Sequence, residues 1–276
     1  MAGLLLVVFL LLGAAPLPKP QRIMSINMCN DLPLLMLVPK ERIASITYLA
    51  HDAVKALMPG KDAGIAINHG AAEEILRQKP DLILASPYTS PAARRLAQRV
   101  GAPIVEMETA NNFEDIRALF RHMGQLVGEP VRAEALIREM DAELARLDAA
   151  RPQRPLRVVA WSGSGSVPGR GTLTNAIIAA AGAENIAAKN DDGHYSDFGL
   201  EELLMQRPDA VMQGIALYDQ PSLHRGNARH PLIDRLFAGR QIDYPDAAYT
   251  CGLPQSARAA SQLRAALGRI NDRGRW

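Results

Sequence analysis

The chain has 276 residues, which accommodates one large domain or two lobes. Hydrophobic residues make up 48% and charged residues 22%, the makeup of a soluble globular protein. A net charge of +2, without a long basic run or a basic–aromatic pattern, speaks against nucleic acid as a partner.

Taken from the amino terminus, residues 4–12 (LLLVVFLLL) are wholly apolar but too short for a bilayer, which takes about 20 residues. They fit the apolar region of a secretory signal, and Gly13-Ala14-Ala15 offers small residues for cleavage. Residues 1–19 are therefore read as an export segment. The lack of Lys or Arg before the run, and Pro16 just after the cut, leave an uncleaved amino-terminal anchor as the alternative. No cysteine follows closely, which argues against a lipid-anchored lipoprotein, and no later stretch reads as transmembrane.

Strands are predicted at 22–26, 42–47, 81–86 and 102–107, with helices from Asn30 or Asp31 to Val38, at 71–78 and at 91–100. This alternation predicts a parallel α/β sheet over residues 20–128. From Phe113 to Ala150 only helix signals occur. Leu119, Met123, Leu126 and Val127 share one face, Gly128-Glu129-Pro130 breaks the run, and Ile137, Met140, Leu144 and Leu147 mark a second helix. That second helix, within 129–153, is read as a bridge. Alternation resumes over 154–276, with strands at 156–161, 209–213 and 241–244. Helices follow at 173–182, stopped by Gly182, and at 199–206, 231–238 and 254–268. The fold class is thus α/β: two Rossmann-like lobes with parallel sheets joined by one long interlobe helix.

One phrase occurs twice. AAEEILRQKPDLILAS at 71–86 and GLEELLMQRPDAVM at 199–212 align at an offset of 128, matching Glu73, Glu74 and Pro80-Asp81 with Glu201, Glu202 and Pro208-Asp209. Either copy alone is common in α/β proteins. Two copies flanking a helical bridge point to an architectural repeat.

Several segments resemble a known family. RIMSINMCND, ERIASITYLAHD, NHGAAEEILRQKPDLILASPYTS, GTLTNAIIAAAGAENIA and FGLEELLMQRPDAVM, in this order, are similar to the periplasmic substrate-binding proteins of ABC importers for cobalamin, iron–siderophore complexes and haem. The likeness runs from about Arg22 to about Leu267. It implies a monomeric, non-enzymatic periplasmic protein. Its ligand, a metal chelate, would sit between the lobes and be delivered to a dimeric ABC permease. It also implies one exposed Glu per lobe pairing with permease Arg, which falls on Glu73 and Glu201. The plain alternative for each is helix-dipole complementation, worth about 0.3–1 kcal/mol. Glu74 and Glu202 point elsewhere.

Ligands of parallel α/β lobes meet the loops beyond the carboxyl ends of strands. Those loops carry Cys29, Asn30, Tyr48, His51, Tyr88 and Thr89, with His69 before the Glu73 helix. In the second half they carry Trp161, Arg170, Gly171, Thr172, Tyr195, Tyr218, Tyr249 and Cys251. Five of the six tyrosines fall there, and such rings can stack on a macrocycle or chelate. The segment WSGSGSVPGRGT matches neither a phosphate loop nor a nucleophile elbow and is read as a cleft wall, with Arg170 facing an anionic ligand edge. No histidine spacing builds a protein-held metal site. Cys29 and Cys251 are either a disulfide or two free thiols. Haem is the alternative ligand, on the Tyr and His residues. The rival class is an exported α/β enzyme using the Gly-rich loop for a nucleotide or phosphate.

Overall fold

A computed structural model describes residues 19–87, 89–99, 101–189, 194–215 and 231–271. The N-terminal half runs Ile23–Ser25 (β1), Met28–Leu37 (α1), Ile43–Thr47 (β2), Ala50–Leu57 (α2), Ile67–Asn68 (β3), Ala72–Gln78 (α3), Leu82–Ala85 (β4), Pro91–Arg99 (α4) and Ile104–Glu106 (β5). Two helices follow, Phe113–Leu126 (α5) and Pro130–Ala149 (α6). The C-terminal half runs Arg157–Ala160 (β6), Ser166–Pro168 (β7), Leu173–Ala180 (α7), Glu184–Asn185 (β8), Tyr195–Asp197 (β9), Leu200–Gln206 (α8) and Ala210–Ile215 (β10). It ends with Pro231–Leu236 (α9), Gln241–Pro245 (β11), Asp246–Thr250 (α10) and Gln255–Asn271 (α11).

Among the described residues the strands form two separate parallel sheets, ordered β3-β2-β1-β4-β5 and β11-β10-β6-β8, plus the antiparallel pair β7-β9. Each parallel sheet is the centre of one lobe. The orders superimpose, with β2, β1, β4 and β5 answering to β8, β6, β10 and β11.

The repeated phrase explains why. A residue before proline disfavours the right-handed helical region, so each helix must stop there. Both stop the same way: Lys79 and Arg207 take the left-handed conformation, each with φ 46°. The following aspartate then sets strand register. The Asp81 carboxylate accepts from the N–H groups of Gln21 (2.7 Å) and Arg22 (2.8 Å), and the Asp81 N–H donates to Arg22 O at 3.1 Å. The Asp209 carboxylate accepts from Arg157 N–H at 2.7 Å, and its own N–H donates to Arg157 O at 2.7 Å. Each arginine also caps the spent helix, Arg22 at Gln78 O (2.5 Å) and Arg157 at Gln206 O (2.9 Å). These contacts satisfy carbonyls that a helix end leaves without partners.

The apolar core does not stop at the lobe boundary. One buried cluster runs from Ile23, Ile46 and Leu84 through Phe120 and Met123 of α5 and Ile137 and Met140 of α6 to Val158, Ile177, Met212 and Leu263. The α6 face anticipated from spacing is the buried one, with Leu144 half-buried. Pro130 fills the first position of α6, where a missing N–H is harmless.

Several elements differ from the sequence expectation, and three of them bear on the site. Helix α1 starts earlier, because Asn27, in extended conformation, accepts from Cys29 N–H and is the cap. Asn30 and Asp31 lie inside the helix and are buried. Helix α2 was not anticipated; its buried Ala50, Ala53 and Val54 follow helical spacing. The Gly-rich stretch is not all loop, since Ser166–Pro168 pairs with Tyr195–Asp197. Residues 1–18 of the expected export segment lie outside the described residues. No helix among those described is long and apolar enough to cross a membrane.

Candidate functional site

Segments that follow the carboxyl ends of strands in the two lobes meet. Helix α2, which follows β2, touches β11 and α10 of the other lobe. Cys29, in the first turn of α1 after β1, is disulfide-bonded to Cys251 just after α10, with a Cα–Cα distance of 4.6 Å. Gly252 packs on Ala110, beyond β5, so closely that a Cβ at 252 would overlap the Ala110 methyl. In parallel α/β folds, this is the edge where ligands sit.

On the N-lobe side, most polar groups turn inward. Asn30 Nδ2 donates to Ala85 O at 2.8 Å, and Asn68 Nδ2 donates to Ser25 O at 2.8 Å and Ser45 Oγ at 2.9 Å. Asp31 is fully buried; its Oδ2 accepts from the Thr47 hydroxyl (2.5 Å) and N–H (3.1 Å). Burial pushes this carboxyl up to about 7, against the opposing pull of the Ser25 and Thr47 hydroxyls and the Thr47 N–H. Its Oδ1 has no hydrogen-bond partner among the described residues. Thr89 Oγ1 accepts from Ser86 N–H at 3.0 Å, and Arg94 holds the same loop through the carbonyls of Ser86, Pro87 and Thr89.

Two aromatic residues reach outward there. Tyr48, 50% exposed, stacks on His69 with ring centroids 5.1 Å apart. His69 Nδ1 lies 3.5 Å from Glu74 Oε1. Burial raises the Glu74 pKa, but the N–H groups of His69 and Ala71, with the His69 ring, outweigh it and leave the carboxyl below its ordinary value. Glu74 thus serves its own helix start, while Glu73 beside it is exposed. In the other lobe Glu202 accepts from Gln206 Nε2 at 2.7 Å and Glu201 is exposed. His51 is exposed and its Nδ1 sits 3.1 Å from Asp62 Oδ2.

The C-lobe side opens into a cavity of about 240 Å³ lined by Ser162, Ser164, Ser166, Tyr195, Asp246 and Thr250, among others. Tyr244 and Tyr249 form its aromatic part, with ring centroids 4.3 Å apart. Burial pushes both phenols above their usual range; for Tyr244 the neighbouring Asp246, Tyr249 and Tyr195 add to it. Burial also raises Asp246 to about 6. Roomier depressions, of about 510 and 460 Å³, lie beside α6 and between β11 and α11. The first joins Met36, Leu57 and Met58 to Pro254 and Gln255, and the second runs along β11 to Tyr244 and Pro245; the smaller cavity takes the ends of both β6 and β11 and is the better candidate on fold grounds.

Several expected wall residues prove structural. Trp161 is 3% exposed inside the C-lobe core and donates its indole N–H to Phe198 O at 3.0 Å. Thr172 is buried and caps α7 through Asn175 N–H. Gly171 lies against the His194 ring, and Arg170 Nε donates to Ala188 O at 3.2 Å. Asn30 braces β4, and Cys251, 3% exposed, welds the lobes rather than facing a ligand. Tyr88 and Tyr218 lie outside the described residues. Tyr195 and Tyr249 do join one wall, together with Tyr244 and Asp246, which sequence reading missed. Their position at the carboxyl end of β11 was the available signal.

Two facing parallel α/β lobes with one long helix between them define a bilobal solute-binding fold. The chain belongs to the periplasmic binding protein family, whose model matches residues 37–216. A cobalamin-binding protein of Halobacterium salinarum is 24% identical over 210 residues, covering 72% of this chain and 55% of the relative. The chain therefore spans about half the length of that curated relative. Among solved structures, the periplasmic heme-binding protein HutB of Vibrio cholerae aligns with a TM-score of 0.74 at 19% identity, covering 90% of this chain and 98% of that one. The heme-binding protein RhuT of Roseiflexus sp. RS-1 gives 0.73 at 22%, covering 91% and 98%. The vitamin B12 binding protein BtuF of Vibrio cholerae gives 0.67 at 17%, covering 92% and 98%. At these identities the solved structures speak to the fold.

Proposed function

We propose that the protein, exported to the periplasm, captures a bulky metal chelate of the cobalamin or ferric-siderophore type between its lobes and delivers it to a dimeric ABC permease. In this reading residues 20–128 and 154–276 are the ligand-gripping lobes, 129–153 is the bridge, and the protein acts as a monomer. Glu73 and Glu201 are the permease contacts. They are exposed at matching places in the two halves, and charge pairs at a wet surface orient partners more than they hold them. What supports the reading is the family match together with the contact between the strand-following segments of the two lobes; the Tyr48–His69 stack stands in one lobe and the Tyr244–Tyr249 pair in the other. In this reading the metal arrives inside its chelate, as in the cobalamin and haem ligands named for the relatives.

Haem is the second reading, favoured by the exposed Tyr48–His69 stack. The nucleotide-using enzyme gains no support, because the Gly-rich segment is taken up by β7 and the α7 cap. Calorimetry with cyanocobalamin and with haemin, each followed by absorption, separates the first two. A Soret band lost in Tyr48→Ala or His69→Ala supports haem; heat with cyanocobalamin and no haemin response supports the corrinoid reading. For delivery, Glu73→Arg/Glu201→Arg is expected to retain ligand affinity and lose uptake in cells. Uptake that survives the double change refutes the docking assignment.

A further inference from the structure

The groove beside α6 shares no lining residue with the strand-end cavity of the C lobe. All three parts of the molecule build it. Met36, Leu57, Met58 and Lys61 come from the N lobe, and Pro254, Gln255 and Arg258 from the C lobe. Between them α6 presents Arg132, Leu136, Met140, Glu143 and Arg146, spaced three or four residues apart and so on one helix face.

Two chemistries meet there. Leu136 and Met140 are buried and Met36, Leu57 and Met58 half-buried, so α6 and the N lobe together give an apolar wall. Around it stand Lys61, Arg132, Arg146 and Arg258, all exposed, with carboxylates at Glu139 and Glu143. Glu143 is already engaged. It accepts from Ser261 Oγ and pairs with Arg146, and these contacts hold its carboxyl below its ordinary value. Setting that ion pair aside leaves Lys61, Arg132 and Arg258 against Glu139. The groove is thus net positive, with one such cation from each part of the molecule. Arg132 Nε donates to Met36 O at 3.3 Å, which sets its guanidinium at the N-lobe rim.

We propose that this groove is a second binding site, for an amphipathic organic anion: a carboxylate or phosphate carried on a slender apolar body. Its volume of about 510 Å³ falls within the range of small-molecule sites, about 300–1,000 Å³. The apolar wall takes the body out of water, and the cations hold the head by charge-assisted hydrogen bonds. Neither half of such a ligand suffices. A bare inorganic anion leaves the apolar wall wet, and a cationic amphiphile meets like charge. The inference is independent of the solute-binding reading, because the two sites have no residue in common.

The test titrates the mature, disulfide-bonded protein calorimetrically with dodecanoate and with dodecyl phosphate, below their micelle-forming concentrations. Inorganic phosphate supplies the head without the body, and dodecyltrimethylammonium the body with opposite charge. Two variants at exposed positions address the groove separately: Lys61→Glu/Arg258→Glu reverses charge on two walls, and Ala142→Trp fills the groove from α6. The expected result is one equivalent of dodecanoate or dodecyl phosphate bound by wild type, at least tenfold tighter than either control. Each variant should weaken that binding at least tenfold with its circular dichroism unchanged. Binding of dodecanoate alone marks a carboxylate head, and of dodecyl phosphate alone a phosphate head. Binding of neither, a control within tenfold of both, or a smaller loss in either folded variant overturns the proposal. A diazirine-bearing dodecanoate locates the site without any substitution. It should attach within residues 132–146 or 254–258 on illumination, and attachment confined to other segments also overturns the proposal.

Discussion

At the N-lobe edge, Asn30, Thr47 and Asn68 direct polar atoms to neighbouring strands and to Asp31, which is bonded through Oδ2 alone among the described residues. At the corresponding edge of the C lobe, Asp246 holds a carboxylate over Gly214. Behind those edges the lobes are nearly copies, down to a left-handed residue, a proline and a register-setting aspartate. The scaffold is shared and the edge chemistry is not. Hydrogen-bonded bracing dominates the N-lobe edge, and hydroxyls and a carboxylate line a cavity at the C-lobe edge.

The weld between the lobes offers the largest effect. Cys29 and Cys251 close a loop with a separation of 222 residues. On the chain-entropy model, Cys29→Ser/Cys251→Ser is expected to lower unfolding free energy by about 5 kcal/mol. Denaturant melts with and without reductant check this; reductant should shift wild type and leave the double variant unmoved.

Two carboxylates, Asp31 fully buried and Asp246 half-buried, then test the contrast itself. Burial raises Asp31 to about 7 in the folded protein, above the ordinary value of 3.8. Folded Asp31 therefore keeps a proton that the unfolded chain has lost between about pH 4 and 7. Its contribution is fully present below that window and is lost as pH rises through about 7, by a few kcal/mol. Asp31→Asn should flatten the stability–pH curve without changing ligand affinity. Asp246→Asn should do the reverse, changing affinity with a smaller effect on stability. Melts from pH 4 to 8 of both variants decide, and equal behaviour would erase the distinction between the two edges.

The smallest effect probes what the lobes share. Lys79 and Arg207 sit at φ 46°, a conformation that glycine adopts freely. Lys79→Gly and Arg207→Gly should each stabilise by about 0.5–1 kcal/mol, and by similar amounts. Unequal shifts in thermal melts would show that the two helix ends are less alike than their geometry.

Much of this architecture was legible because local rules and tertiary packing agree. Proline forces the helix ends at Lys79 and Arg207, and the spacing of Ile137, Met140 and Leu147 marks the buried face of α6. The edge chemistry was harder to read. Trp161 follows β6 and reads as a loop residue, yet its N–H still pairs with Met212 O and the ring turns into the core. The β7–β9 pair joins segments about thirty residues apart, so no local pattern announces it. Asp246 and Tyr244 sit in QIDYPD, where strand pattern and proline hide that the chain has reached the gap. Which polar groups are satisfied depends on distant partners, and one-dimensional spacing carries no trace of them.

The close fit of Asp246, at the start of α10, on Gly214 of β10 links two positions on different elements that share no local motif. A methyl at 214 would displace the carboxylate, and loss of the carboxylate would free 214 to vary. Across descendants of this chain the two sites should therefore drift as a pair, and a change of diet from one cargo to another would leave its mark at both.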